Sequence, residues 1–321
     1  TRGGTTSSGQ GVSAVSSTNF TVIASGSNTL EFNPNINGAT YVALLFAHNA
    51  GGFGLTGTDN VISCGSFTTD ASGNATVNLG YEAQWVTIKA ATAAEDWYTS
   101  DNMRGWSLTG GRGLSPNSSG AEFAFGDSTY LWNPTATGFS AANAALSAST
   151  TYIYIAIRRP HKPPTSGTQV FQPVAYTGDS TSNTSTRTIS LGISPDMVLT
   201  LNRVSGAQMP NIYNKLRGSG VPLWTAGTFA ENTTPNTWGI SLGQNSAVMT
   251  GRWNDNGTFN NASDAHIGYY LRRAPGFFDE VCWYGDPATV THNLVVAPEL
   301  VIQKNRTSTQ GWAVWRPGLN Y

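Results

Sequence analysis

The strongest constraint on this chain is that it repeats itself. Tyr41-Val-Ala-Leu-Leu-Phe-Ala47 returns as Tyr152-Ile-Tyr-Ile-Ala-Ile-Arg158 and again as His266-Ile-Gly-Tyr-Tyr-Leu-Arg272. A second motif follows each copy through a breaker-rich joint: Gly65-Ser-Phe-Thr-Thr-Asp70, Ala175-Tyr-Thr-Gly-Asp179 and Trp283-Tyr-Gly-Asp286. A leucine then precedes a strand-like run, with Leu79 before Trp85–Lys89, Leu191 before Met197–Leu201 and Leu294 before Leu300–Lys304. Last comes an Arg-Gly step at Arg2-Gly3, Arg104-Gly105 and Arg217-Gly218, with a looser form at Arg316-Pro317-Gly318. Matching features in a fixed order set the architecture before any single residue does.

The period is about 107 to 114 residues, far beyond the roughly 20–50 of solenoids and propeller blades. A unit of that length can bury its own core, so the repeats predict beads rather than one stacked array. The register is offset. Residues 1–52 read as the back half of a unit, 53–164 and 165–275 as complete units, and 276–321 as a front half.

The runs at Tyr152–Ile157 and Leu300–Ile302 are short, apolar and rich in β-branched and aromatic residues, which is a strand signal. With 36 glycines and 15 prolines, turns are frequent, and no window sustains a helical period between caps. The expected fold is all-β: tandem antiparallel sandwiches of about 107 residues each, with permuted register at the termini. The runs at Tyr152–Ile157 and Ile267–Leu271 are expected as central strands. The joints at Arg158–Pro164 and Arg272–Pro275 are expected as short linkers, since proline donates no ladder bond.

Charged residues make up 11% of the chain and the formal net charge is −1. No basic patch recruits nucleic acid, and no apolar run reaches the roughly 18 residues of a membrane-spanning helix. Cys64 and Cys282 fall at non-equivalent repeat positions and read as unpaired thiols. The histidines (His48, His161, His266 and His292) fall on joints and strand edges without metal-ligand spacing. The acidic pairs Glu95-Asp96 and Asp279-Glu280 are adjacent residues, which in a strand point to opposite faces. The reading is therefore of a non-enzyme with no catalytic residues, no metal and no cofactor. Ca²⁺ at Asp70, Asp179 or Asp286 is the least surprising exception. Gly73-Asn74 and Asn256-Gly257 read as hairpin tips.

Two residue classes carry the remaining functional signal. Trp97-Tyr98 precedes one Arg-Gly step, and Trp312 with Trp315 precedes another. They read as inter-strand packing or, alternatively, as glycan-contacting platforms. The repeated Arg2, Arg104, Arg217 and Arg316 read as turn-closing guanidinium groups that bind backbone carbonyls.

The unit resembles the tandem module of tailed-phage virion proteins, especially the tail-fibre proteins of marine phages. The resemblance rests on Tyr176-Thr-Gly-Asp179, Val296-Ala-Pro-Glu-Leu-Val-Ile-Gln-Lys304, Asp101-Asn-Met-Arg104 and Ser149-Thr-Thr-Tyr-Ile-Tyr-Ile-Ala-Ile157. The middle unit departs from it: Leu201 stands where the pattern has lysine, and the turn aspartate is missing before Arg217. The resemblance implies a lectin-like or jelly-roll-like form of the sandwich and a structural component of an extracellular virion appendage, a tail fibre or similar fibre, with host-surface contact. Its partners would be other copies of itself, other virion proteins and a host surface glycan, without nucleic acid or membrane insertion. It brings no catalytic residue with it.

Half a sandwich exposes an apolar face and open strand edges. The offset halves are thus expected to complete each other within a chain, to exchange between chains, or to belong to a longer array, which is the first choice. The environment of Tyr41–Ala47 and Phe277–Tyr284 distinguishes these outcomes.

Overall fold

The computed structural model describes residues 11–23, 38, 40–54, 56–106, 112–124, 131–142, 146–182, 184–204, 209–218, 220–231, 238–251, 259–283 and 289–318. Among them the elements are strands, apart from a single 3-10 turn at Gly167–Gln169. A hairpin of β1 (Gly11–Val15) and β2 (Phe20–Ile23) comes first.

The first sandwich follows. Its strands are β3 (Ile62–Thr68), β4 (Ala75–Asn78), β5 (Ala83–Ala90), β6 (Trp97–Asp101), β7 (Arg112–Gly113), β8 (Phe123–Ala124), β9 (Leu131–Thr135), β10 (Gly138–Ala142) and β11 (Thr151–Arg158). A four-stranded sheet in the order β3-β11-β5-β6 faces a three-stranded sheet, β4-β10-β9. Strands alternate their side chains, so Val86, Ile88 and Ala90 of β5 and Tyr152 and Ala156 of β11 share one face. They meet Val77, Phe139 and Ala141 of the smaller sheet in one core. Phe67 stacks on Tyr152 and meets Phe139 edge-on, so aromatic rings bridge the two layers.

The second sandwich has β12 (Phe171–Thr177), β13 (Thr186–Ser190), β14 (Met197–Asn202), β15 (Asn211–Asn214), β16 (Leu223–Trp224), β17 (Gly239–Leu242), β18 (Ser246–Thr250) and β19 (Ala265–Leu271). Its sheets run β12-β19-β14-β15-β16 and β13-β18-β17, repeating the first topology. Its core is separate, with Val198, Tyr213, Ile240, Met249, Phe259 and Tyr270. Each such fully buried side chain contributes on the order of 1.5–3 kcal/mol. The fold is thus the expected all-β tandem of antiparallel sandwiches, and β11 and β19 are interior strands in their sheets. A last hairpin pairs β20 (Val301–Lys304) with β21 (Trp312–Trp315).

Three details differ from the sequence reading. The Gly73-Asn74 turn is not a hairpin tip, because β3 and β4 lie in different sheets. It is an arch between layers, fastened by the Asp70 carboxylate, which accepts from the Ser72 and Asn74 backbone N–H groups and from Asn74 Nδ2. His266 is not at an edge but buried in the interior strand β19, stacked on Tyr176. Tyr41–Ala47, the strand-like repeat, forms no strand. Asn256-Gly257 and Asp286 lie outside the described residues.

Candidate functional site: the charged joint and its cavity

The most concentrated chemistry lies where the two sandwiches meet. The chain leaves β11 through Arg158-Arg159-Pro160 and leaves β19 through Arg272-Arg273-Ala274. In each doublet the first arginine continues the strand's backbone bonding: Arg158 N–H donates to Val61 O and Arg272 N–H to Val170 O. The second arginine turns into the interior. Arg273 sends Nη1 and Nη2 to the two carboxylate oxygens of Glu82, at 2.7 and 2.6 Å, and Nε to Asp279 at 2.8 Å. Arg159 Nε lies 3.4 Å from Glu82 and its Nη2 lies 3.7 Å from Asp279. Asn293 Nδ2 donates to Glu82 as well, and its backbone N–H donates to Asp279.

Two guanidiniums and two carboxylates therefore offset each other in a buried cluster drawn from both sandwiches and the segment after them. Burial pushes the Asp279 carboxyl up, but the Arg273 guanidinium, the Asn293 N–H and Arg159 outweigh it and hold it below the usual carboxylate range. Bidentate pairing of this kind fixes orientation as well as charge. The joint residues are therefore more than linkers: they carry the contact.

The Arg-Gly steps also converge here. Gly105 and Gly218 both adopt positive φ, at 97° and 89°. A Cβ on Gly105 would stand 2.8 Å from Gly218 Cα, so the close approach of the two loops requires glycine. Beside them lies a cavity of about 590 Å³, lined in part by Trp106, Asn133, Leu216, Glu280, Cys282 and Trp283. Glu280 accepts from Asn214 Nδ2 through one carboxylate oxygen, and its buried Oε2 has no hydrogen-bond partner among the described residues. Burial raises its carboxyl to about 7, against the pull of Arg217 and Arg273. Burial likewise lifts the Cys282 thiol to about 11, which disfavours a thiolate there. Cys64 and Cys282 are unpaired.

The turn arginines share one geometry. Arg104 N–H donates to Asp101 Oδ1 and its Nη2 reaches Thr99 O at 3.4 Å. Arg217 N–H donates to Asn214 Oδ1 and its Nη2 reaches Ile212 O at 2.8 Å. Asn214 thus occupies the place of the aspartate missing from the second turn, because an amide oxygen accepts the same bond. Glu122 pairs with Arg104, and Glu231 pairs with Arg217 and also with Arg306 of the last segment. Arg316 is exposed, and Arg2 lies outside the described residues.

The aromatic candidates are dispersed. Trp97 is half-buried, with its backbone N–H donating to Asn117 Oδ1 while Asn117 Nδ2 binds Asp96. Tyr98 meets Phe123 edge-on. Trp312 is half-buried and donates its indole N–H to Trp224 O, whereas Trp315 is 49% exposed. The structure does not bring the two pairs into one platform: Trp97 and Tyr98 sit in the first sandwich, and Trp312 and Trp315 in the last hairpin. Glu82, Asn293 and Trp106 escaped the sequence reading. Asp279, noted in the sequence as half of an acidic pair, and the arginines of the two joints, noted there as linkers, are the cluster members that it did name.

The fold and joint define a tandem β-sandwich protein whose repeats are locked together by buried ion pairs. The chain belongs to the family described as a domain of unknown function (DUF7483), which matches twice in tandem, over residues 2–160 and 166–321. No curated protein and no solved structure matches it.

Proposed function

We propose that this protein is a structural component of a phage virion appendage, a tail fibre or similar fibre exposed at the particle surface and contacting the host. The observation that carries the reading is the joint. Consecutive sandwiches held by a buried bidentate Arg273–Glu82 pair transmit load and orientation, as an appendage needs, where a free linker would let them swivel. The repeat resemblance to tail-fibre modules supports the same reading. Immunogold labelling of particles from a producing lysate, with antibodies to the purified chain, tests it. Gold along an appendage is expected; particles that carry no label refute it.

The exposure of Trp315 favours a second reading, a lectin-like module that recognises a host surface glycan. Under it, a glycan array gives saturable binding that Trp315→Ala weakens at least tenfold. Unchanged binding by that variant removes Trp315 from the site.

A further inference from the structure

We propose that the cavity at the joint binds a neutral pyranose, one sugar unit of a glycan. One of its walls is the outer face of the sheet β4-β10-β9. Val77 and Phe139 of that sheet point into the core, so Thr76 and Ser140, next to them along their strands, point away from it. Ser140 faces Thr76 on one side and Asn133 on the other. Cross-strand partners share a face, so three adjacent strands present one row of polar side chains, and all three line the cavity. Trp106, Glu280 and Trp283 contribute further lining.

Two acceptors of this cavity call for donors. Asn133 Oδ1 and Glu280 Oε2 are buried with no hydrogen-bond partner among the described residues. A buried polar group left unpaired costs about 1–3 kcal/mol, so the site favours a ligand that brings hydrogen-bond donors. The guanidiniums nearby are already engaged: Arg159 and Arg273 with Glu82 and Asp279, Arg217 and Arg306 with Glu231. With Glu280 included, the charges of these side chains balance, so none is left over for a charged ligand to offset. Burial raises the Glu280 carboxyl to about 7, so near neutral pH it can accept a bond from a hydroxyl or donate one to it.

The shape fits the same class of ligand. The cavity of about 590 Å³ is within the roughly 300–1,000 Å³ of small-molecule sites. Trp283 is 44% exposed, which leaves indole surface for a ring to lie against. A pyranose carries hydroxyls at its rim and C–H groups on its faces, so it suits acceptors set beside indole rings. The second sandwich lacks the polar row. There Val248 stands in the place of Ser140, between Thr188 and Ser241. The site therefore belongs to the first sandwich. This inference rests on the glycan reading and gives it a second site besides Trp315.

Saturation-transfer NMR of the full chain with the methyl pyranosides of glucose, galactose, mannose and N-acetylglucosamine tests the site. At least one should bind, and Trp283→Ala should weaken it about tenfold, the scale of one lost ring contact. Thr76→Ile is at an exposed strand position that tolerates a β-branched residue. It fills the polar row without removing a buried group and should weaken binding by a similar factor. Thr188→Ile, the equivalent change in the second sandwich, should leave binding as it is. Unchanged binding by either cavity variant overturns the proposal, as does binding of methylammonium without any pyranoside. A chain that holds an arrayed glycan through Trp315 but takes up no free pyranoside loses this site and keeps the glycan reading. A chain that binds neither loses both.

Discussion

Replacing Arg273 by alanine should be the most damaging single change at the joint. Arg273 supplies two charge-assisted bonds to Glu82 and one to Asp279, all at 2.6 to 2.8 Å. Its loss leaves two buried carboxylates facing only Arg159, at 3.4 and 3.7 Å, and the amide of Asn293. Breaking a buried pair in this way costs about 3–5 kcal/mol, because the orphaned charge keeps its desolvation penalty. At about 2–4 °C per kcal/mol for the two sandwiches melting as one cooperative unit of roughly 220 residues, the melting temperature should fall by on the order of 10 °C. Calorimetry is the assay of choice, since a broken joint should also let the sandwiches melt in separate transitions. Arg273→Lys should recover part of the loss, because ammonium keeps the charge but cannot bind both oxygens of Glu82 in a planar fork. Arg273→Leu with Glu82→Leu should lie above the single alanine variant, since it removes one charge of each sign. If Arg273→Ala stays within 1 kcal/mol of the parent, the joint is held by something other than its ion pairs.

Gly105→Ala should cost about 1–3 kcal/mol through positive φ, plus the clash with Gly218, read as a loss in urea midpoint. Burial lowers the His266 pKa, against the opposing pull of the Asn261 backbone and the nearby Asp264. The unfolded chain then binds the proton more readily, so stability should fall as pH drops below about 6.5, and His266→Phe should flatten that slope. Glu280 acts in the opposite sense. With its folded-state pKa raised to about 7, its stabilising effect is complete below the ordinary glutamate range and is lost as pH rises through about 7. Glu280→Gln should therefore raise the melting temperature at pH 8 and leave it unchanged near pH 4.

What could be read from the sequence was what is local or repeated. Strand-forming runs at Tyr152–Ile157 and Ile267–Leu271 depend on side-chain pattern over a few residues, so they were legible as interior strands. The backbone-carbonyl partners of Arg104 and Arg217 lie within five residues, whereas their carboxylate partners Glu122 and Glu231 come from further along the chain. Layer assignment was not legible: the Asp70–Asn74 turn has the composition of a hairpin, but which sheet receives the next strand depends on long-range pairing.

The joint shows the division most sharply. The repeated sequence by itself determined that the chain is a tandem of β-units, because period and propensity act along the backbone. Only the tertiary structure decided that Glu82 meets Arg273 across 191 residues and that His266 is enclosed. A charge has no periodicity, and its partner is chosen by which surfaces the packed sandwiches bring within hydrogen-bond distance.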